Sequence, residues 1–501
     1  MKRAWKWFAR HLLDFSIGIL ALLAGIAAAE LLAVVLGAQS PFLNVGSAVI
    51  DATPTPLKEY AVREFGTADK PILLAVIGAA LVLFAAVCGL LASLRVWLGA
   101  AGFGLFGLVG AVIAALRPTA TALDALPPLL GALTGAAALV VLSRRRALAG
   151  PGGAPARRRL LLTGAAVLAA SALGYAGTRL LASAGAVGEQ SRAGVRLPAP
   201  ASPAPPAVAD GSFYTPNRDF YRVDTALSVP QIDADRWRLR VHGRVANERE
   251  YSFADLLARP LVERDVTLVC VSNEVGGPYL GTARWLGVPL AELLAEAGVD
   301  TDADQVVSRS VDGMTIGTPT RVVTDGRDAM LAVGMNGEPL PLAHGFPVRM
   351  LVPGLYGYVS ACKWITEMEL SRFADFDPYW VRRDWAAEAP VKTSSRIDTP
   401  RALSTVAAGP VRIAGVAWAP HRGIRAVEVR IDGGPWVPAT PADVSSADTW
   451  RRWFYDWEAV PGRHDLSVRA TDGGGDVQVE ERVTPFPDGA TGWHSIAVRV
   501  G

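Results

Sequence analysis

The chain has 501 residues, of which 51% are hydrophobic and 19% are charged, and its formal net charge is +2. This length allows two to four domains, each with its own core. The charged residues form no basic surface interleaved with aromatic residues, so we expect no nucleic-acid binding. Three cysteines without a CxxC pair exclude a thioredoxin-like redox pair and a zinc ribbon.

The first 186 residues are mostly Leu, Ala, Val and Gly, whereas the rest of the chain has the composition of a soluble protein. Five apolar segments in this first part are long enough, or nearly so, to cross a bilayer of roughly 30 Å. They are Phe15–Leu36, Pro71–Ala92, Val96–Leu116, Leu126–Leu142 and Leu160–Thr178. We therefore predict an all-α transmembrane domain of about five helices over residues 1–186.

Positive charges flank these segments at positions that share one side of a five-helix topology. They precede the first helix, occupy the second turn at Arg95, and form the clusters 144–146 and 157–159. Because Lys and Arg collect on the cytoplasmic side, we predict a multi-pass protein of the cell membrane with its C-terminal two-thirds outside. The run that begins at Arg157 also resembles a twin-arginine export signal, and a positive-inside flank explains it equally well.

Two residues of the apolar part, Glu30 and Cys88, have ionisable side chains. Glu30 is an ionisable residue well inside a predicted span, which makes it a functional candidate. The alternatives are that Glu30 reaches the outer interface or pairs with an arginine of a neighbouring helix, and all three remain open. Cys88 lies in an apolar run and is predicted to pack as a small hydrophobic side chain.

Residues 187–212 separate the apolar part from the soluble part. Their portion from Leu197 to Ala209 contains five prolines, which fit neither a helix interior nor the centre of a sheet. We predict a semi-extended linker here.

Residues 213–395 are predicted to mix strands and helices. Trp237–Val245 alternates like a strand, whereas Phe253–Leu257 and Leu290–Ala297 have helical patterns. The overall prediction for this part is an α+β domain.

Cys270 is the first candidate functional residue of this domain. It ends a β-rich run, Asp265–Val271, and is followed by Ser272, Asn273 and a Gly-Gly turn. A thiol at a strand end beside glycines lies where a backbone can approach a ligand closely. Taken alone, however, Cys270 is better explained as a buried structural cysteine.

The surroundings of Cys270 favour the functional interpretation. The segment from Asp265 to Leu286, DVTLVCVSNEVGGPYLGTARWL, resembles the cofactor loop of the sulfite oxidase family of molybdopterin enzymes. The resemblance covers roughly residues 213–501, with the family's motifs in the same order. The further matching segments are Phe220-Tyr221-Arg222 with Pro230, Met335–Pro341, His344–Arg349, Val352–Gly354, Lys363-Trp364 and Trp380–Trp385.

This resemblance implies a molybdenum–molybdopterin cofactor, with Cys270 as the protein ligand of the metal and oxygen-atom transfer as the reaction. A soft thiolate suits molybdenum, and cationic groups suit the anionic phosphate of the pterin. The residues that the resemblance assigns to cofactor binding are Tyr221, Arg222, Cys270, Asn273, Asp312, His344, Arg349 and Lys363.

The resemblance also assigns Cys270, Arg222 and Trp385 to catalysis, although three positions depart from the family's sulfite enzymes. Val275 stands near the place of a pocket arginine, and Trp385 stands in the place of an active-site tyrosine. Asp224 replaces a histidine. A lost cation and a gained carboxylate weaken the attraction for a small dianion. Sulfite or another small sulfur compound is the favoured substrate, and a bulkier or neutral one stays open.

Residues 396–501 are predicted to form an all-β sandwich of immunoglobulin type, because short strands alternate with turns. They resemble the dimerisation domain of the same family, which implies a homodimer. His464 and His494 are isolated in the sequence and are predicted to be structural. The predicted strands include Pro410–Trp418, Ile424–Ile431, Trp450–Trp457 and Leu466–Ala470.

Oxygen-atom transfer moves two electrons, which a partner must supply or accept. The sequence contains no haem or iron–sulfur motif, so we predict a separate electron carrier, either a cytochrome or a quinone. Two alternative functions stay open. One is a reductase of sulfoxides or related oxo donors on the same scaffold, and the other is a catalytically silent membrane binding or sensor protein.

Overall fold

The computed structural model describes residues 2–54, 57, 60, 64–65, 68–117, 120–148, 154–184, 187–206 and 213–501. The chain divides into two units. The helical unit comprises Met1–Ala186 with Thr225–Ser228, and the mixed unit comprises Val187–Asp224 with Val229–Gly501. The side chain of Arg157, which begins the predicted export signal, and the last linker residues, 207–212, lie outside the described part.

The described part of the helical unit contains five helices long and apolar enough to cross a membrane, in agreement with the five apolar segments predicted from the sequence. A shorter helix, α2, follows the first of them, and Ser40 caps its start by accepting the Leu43 N–H at 3.4 Å. The helices are α1 (Lys2–Leu36), α2 (Pro41–Ala52), α3 (Asp69–Leu94), α4 (Val96–Ala115), α5 (Leu126–Leu148) and α6 (Ala154–Ala184).

Small residues allow these helices to approach one another closely. A Cβ atom added to Gly25 of α1 would lie 2.6 Å from the carbonyl oxygen of Gly131 in α5, and one added to Gly135 would lie 2.7 Å from the Phe103 ring. Such contacts are the usual basis of helix packing in membranes. Cys88 is buried in the same core, as predicted.

Asp14 is a buried carboxylate near the start of α1, and only 1% of its side chain is exposed. One oxygen lies 3.0 Å from His11 Nδ1, and the other pairs with Arg146 of α5. We did not single out Asp14 in the sequence because it precedes the apolar segment predicted from Phe15. Glu30 differs from Asp14, because its described partner is the Ser40 hydroxyl, which donates to Oε1 at 2.6 Å, rather than an arginine.

Part of the predicted linker packs on the mixed unit. Helix α7 (Val187–Gly194) carries Arg192, whose guanidinium donates to the Leu340 carbonyl at 2.9 Å. Further along, the Ala201 and Ser202 N–H groups both point at the Leu261 carbonyl, at 2.8 and 3.3 Å. This segment therefore lies along the start of an edge strand, where prolines cost no ladder hydrogen bonds.

The first part of the mixed unit has one mixed sheet and one antiparallel sheet, which share one core. One has the order β2-β1-β10-β5-β6, and the other has the order β3-β4-β7-β8 with β9 paired to β7. The strands are β1 (Arg238–Gly243), β2 (Arg249–Ser252), β3 (Val262–Val269), β4 (Leu280–Pro289), β5 (Gln305–Ser310), β6 (Thr315–Pro319), β7 (Met330–Met335), β8 (Glu338–Pro339), β9 (Arg349–Leu351) and β10 (Ile365–Ser371).

Short helices connect these strands. They are α8 (Phe253–Leu257), α9 (Leu290–Ala297), α10 (Thr320–Val323) and α11 (Gly357–Ser360). The bounds of α8 and α9 are those predicted from the sequence. A capping box fixes the start of α8, because Ser252 accepts the Asp255 N–H at 3.1 Å while the Asp255 carboxylate accepts the Ser252 N–H.

The C-terminal part is β-rich, as predicted, and has a second core of its own. Its sheets have the orders β11-β13-β17-β16 and β12-β19-β18-β14-β15. The strands are β11 (Ser394–Thr399), β12 (Thr405–Val406), β13 (Gly409–Trp418), β14 (Ile424–Ile431), β15 (Val437–Pro438), β16 (Thr440–Pro441), β17 (Arg451–Ala459), β18 (Gly462–Asp472) and β19 (His494–Val500).

Candidate cofactor site

Cys270 directly follows β3, and its thiol is buried. Its N–H donates to the Tyr279 carbonyl at 3.0 Å, which closes the loop between β3 and β4. Burial raises the pKa of this thiol, and hydrogen bonds from Ser272 and the charge of Lys363 only partly offset that effect. A thiolate at this position therefore needs a strong additional positive charge, such as a metal ion.

Asn273 shapes the loop that follows the cysteine. Its side-chain oxygen accepts the Tyr279 N–H at 2.8 Å, and a Cβ atom on Gly277 would lie 2.7 Å from the same oxygen. Gly276 has a φ of 79°, a conformation that favours glycine. The geometry thus gives Asn273 a role in the turn beside the thiol.

Arg349 begins β9 and is a buried cation, with 5% of the residue exposed. It donates to the His344 carbonyl at 3.2 Å and lies over the Trp285 ring at 5.1 Å, whereas its Nε has no described partner. No described carboxylate pairs with it in an ion pair. Burial lowers the pKa of Arg349 to about 10, so the group remains charged at neutral pH. Such a cation suits an anionic ligand.

Tyr221 shares its surroundings with both Cys270 and Arg349. Burial and the neighbouring thiol raise the pKa of the Tyr221 phenol, while Arg349 opposes the rise. The phenol ring stacks on Phe220, with the ring centroids 5.4 Å apart. The structure therefore brings together three of the residues predicted from sequence, although they come from distant parts of the chain.

His344 lies next to this group and is buried. Its Nε2 donates to the Asn217 carbonyl at 2.8 Å, and its ring lies edge-on to Phe220. Burial, together with the charges of Arg349 and Lys363, lowers the pKa of His344 to about 4. The imidazole is therefore neutral at pH 7, and Nδ1 is available as an acceptor.

Asp224 joins the two remaining predicted cations. Its Oδ2 lies 2.7 Å from Arg222 Nε and 2.7 Å from Lys363 Nζ, and only 5% of the carboxylate side chain is exposed. Burial lowers the pKa of Lys363 to about 8 in spite of this carboxylate. The charge of one carboxylate is thus shared between two cations, which reduces the positive potential of the group.

Asp312 lies in the turn between β5 and β6. Its carboxylate accepts the Met314 N–H at 3.4 Å. Burial raises the pKa of Cys362, and Asp312 raises it further while Arg349 lowers it. Asp312 therefore lies on the side of the group that contains Cys362.

Trp385 is buried in an aromatic cluster with Tyr358, Trp380 and Phe486. Its indole N–H has no described hydrogen-bond partner. No ring contact among the described residues joins Trp385 to Tyr221 or His344. Val275, the other departure from the family pattern, lines a small cavity with Asn273, Tyr356 and Trp418.

Several residues that contribute to the group were not identified from the sequence. Ser272 and Trp285 lie within the quoted cofactor-loop segment, so their positions were a signal, but their contacts with Cys270 and Arg349 appear only in the fold. Asn217, which orients His344, lies in a segment for which the sequence offered no motif. The assembled residues fit an anionic cofactor with a thiolate-bound metal.

Comparison with known proteins agrees with this chemistry. Residues 226–380 match the oxidoreductase molybdopterin-binding domain family, which implies a molybdenum cofactor. Mitochondrial sulfite oxidase of Homo sapiens is 30% identical over 350 residues, which cover 59% of this chain and 63% of that protein. Sulfite oxidase of Arabidopsis thaliana is 25% identical over 359 residues, which cover 59% of this chain and 91% of that protein.

A solved structure is also similar. The sulfane dehydrogenase SoxCD from Paracoccus pantotrophus matches with 25% identity and a TM-score of 0.48, over 54% of this chain and 75% of that chain. The present chain spans 63% of the length of its human relative. The matched domain shows that the chain contains a molybdopterin-binding oxidoreductase domain, and over about three fifths of its length the chain is similar to sulfite oxidases.

Proposed function

We propose that this protein is a membrane-anchored molybdenum oxidoreductase that catalyses oxygen-atom transfer on a small sulfur compound outside the cytoplasm. The observation that supports the proposal most directly is the buried, carboxylate-free guanidinium of Arg349 beside Tyr221 and Cys270. A pterin phosphate would supply the missing negative charge. The bound molybdenum would supply a two-electron centre that accepts or donates an oxygen atom.

Each residue of the group has a distinct proposed role. Cys270 binds the metal through its thiolate. Arg349 and Lys363 hold the anionic part of the cofactor, and neutral His344 accepts a hydrogen bond through Nδ1. Tyr221 and Arg222 lie at the substrate side. Two further predicted residues orient the group. They are Asn273, which fixes the loop after the cysteine, and Asp312, which lies near Cys362.

The proposal is tested by measuring molybdenum and pterin per chain in the purified protein, made in a host that synthesises the cofactor. We expect close to one of each, and Cys270→Ser is expected to lose most of the activity. Cys88→Ser is the matched control, because Cys88 is also buried but belongs to the helical unit. An unmodified protein without molybdenum would instead support a silent binding or sensor protein.

A reductase of sulfoxides is the second candidate function, and the ion pairs of Asp224 favour it. The carboxylate partly neutralises Arg222, which a small dianion would need as a partner. A neutral sulfoxide does not need a net positive pocket. Assays of both directions with artificial electron donors and acceptors distinguish the two candidates, since oxidation of sulfite without reduction of a sulfoxide excludes the reductase.

The domain organisation that we propose follows from the two cores of the mixed unit. Residues 213–395 form the catalytic domain, and residues 396–501 form an immunoglobulin-like sandwich that pairs two copies of the chain. The separate core of the C-terminal part supports this division. A molar mass of one chain in detergent, measured by light scattering, would exclude the homodimer. Electrons pass to or from a separate carrier.

A further inference from the structure

The helical unit contains a cavity that no role proposed so far explains. The empty space of the cavity, together with the part open to the outside, amounts to about 660 Å³. The cavity is bordered by α1, α2, α3, α4 and α5, all of which belong to the same unit.

The walls of the cavity are apolar and partly flat. Phe42, Phe103 and Phe106 contribute aromatic rings, and Gly107 and Gly131 contribute backbone without side chains where Ala132 and Ala29 pack against them. Phe84 holds two of these rings in place, because its centroid lies 6.2 Å from that of Phe103 and 5.2 Å from that of Phe106. A flat ring system fits between rigid aromatic faces and side-chain-free backbone.

One polar group lines this apolar cavity. Glu30 reaches it from α1, and the Ser40 hydroxyl donates to its Oε1 at 2.6 Å. Oε2 has no partner among the described residues, and no described cation pairs with this carboxylate. A half-buried acceptor on an apolar wall suits a ligand with a hydroxyl donor, because an unpaired polar group in such a place is costly.

From these features we infer that the cavity binds a lipid-soluble quinol, with the ring between the phenylalanines and one ring hydroxyl donating to Glu30. The surrounding helices are apolar enough to span a membrane, so the ligand would arrive from the lipid. An acyl chain would fill the apolar space but would leave the carboxylate without a donor. The choice of a redox-active ring rests on the proposed oxidoreductase function, since a quinol carries the two electrons that oxo transfer moves.

The binding test uses the full-length protein in detergent micelles. Heptyl-hydroxyquinoline N-oxide, a fluorescent quinol analogue with a hydroxyl group, is titrated with the protein, and quenching of its fluorescence reports binding. We expect saturable binding at one site per chain. Molybdenum content is measured on the same preparation, so a failure of the proposed function is seen separately from a failure of binding.

Two matched tryptophan variants locate the site. Val45→Trp places an indole in the cavity and is expected to weaken analogue binding at least about tenfold, because a filled cavity excludes the ring. Val49→Trp is the control, since Val49 lies on the same helix, is 38% exposed and does not line the cavity. Ile26→Phe fills the cavity from α1 and replaces Val45→Trp if that variant does not fold.

The polar contact is tested by Glu30→Leu, which removes the acceptor and is expected to weaken binding about tenfold. Glu30→Gln keeps an acceptor oxygen and is expected to have the smaller effect. Equal binding by the wild type, Val45→Trp and Glu30→Leu would overturn the inference, as would a tightly held lipid that the analogue does not displace. Binding that is lost only in the cavity variants supports it, whatever the molybdenum content.

Discussion

Arg349 is a buried cation of the candidate site without a described carboxylate partner, so its charge is unbalanced. We expect Arg349→Met to lower cofactor content to less than about a tenth, because the cofactor phosphate loses its buried cation. The cofactor-free variant should be more stable than the cofactor-free wild type, by on the order of 1–4 kcal/mol, because an unpaired buried charge has been removed.

Molybdenum analysis and thermal unfolding of protein from a cofactor-deficient host measure the two effects. Arg372→Met is the control, since Arg372 is exposed and pairs with Asp375. A variant at Arg349 with normal cofactor content would contradict the proposed role.

Asp224 provides a prediction about substrate charge. Asp224→Asn removes the carboxylate between Arg222 and Lys363, so Arg222 faces the substrate side with its full charge. We expect KM for sulfite to fall severalfold, and KM for a neutral sulfoxide to change little. Asp219→Asn is the control, because Asp219 is exposed and pairs with Arg218. An equal change of KM for both substrates would show that charge is not the cause.

His344 provides a pH prediction. Its pKa is lowered from 6.5 to about 4 in the folded protein, so protonation favours the unfolded state. The contribution of His344 to stability is therefore complete above about pH 6.5 and is lost as the pH falls to about 4. The total loss is about 3 kcal/mol, at 1.36 kcal/mol per pKa unit.

Thermal unfolding at several pH values measures this loss, and His344→Gln should make the decline between these pH values less steep. The half-buried His494, whose pKa is also lowered to about 4, should keep its own contribution in that variant. A decline of unchanged steepness would contradict the assignment.

The sequence led to most members of the residue group, because they lie in ordered motifs, but it did not reveal their pairings. Asp224 was noted as an added carboxylate, and its contact with Lys363 joins residues 139 positions apart. The same holds for Trp285 of β4 and Arg349 of β9, because these two strands pair with opposite edges of β7. Long-range contacts of this kind depend on the sheet order, which local patterns do not determine.

At the scale of elements, the segment around Ala201 protects the edge of a sheet. Its N–H groups bond to Leu261, just before β3, and Glu263 N–H donates back to the Ser202 carbonyl at 2.9 Å. Ala201→Pro removes one donor and should lower the melting temperature of the mixed unit by a few degrees, equivalent to about 1 kcal/mol. Ala199→Pro is the control. Equal melting temperatures for the two variants would show that the segment does not stabilise the edge.

Local patterns were sufficient for elements with strong start signals and regular periodicity. Helices α8 and α9 begin and end at the predicted residues, since a capping box starts the first and Gly298 with a φ of 67° ends the second. The docking of the proline-rich segment was not predicted, because proline content excludes regular structure but does not exclude packing on an edge.

At the scale of the whole molecule, the charge pattern predicts the topology. With the basic flanks inside and five spans, a reporter fused after Gly501 lies outside the cytoplasm. Alkaline phosphatase fused there should be active, and green fluorescent protein exported by the general secretory route should be dark. A fluorescent fusion combined with inactive phosphatase would contradict the topology.

The candidate site has a consequence for the order of assembly. Tyr221, Cys270, Arg349 and Lys363 lie next to or at the start of different strands, so the complete group requires a fragment that spans residues 221–363. The last of them comes just before β10, which must insert between β1 and β5. A nascent chain therefore cannot retain the cofactor until nearly the whole domain has been synthesised. Loading then becomes a checkpoint for completed folding, and a cell that inserts the cofactor before transport needs an export route that accepts folded cargo.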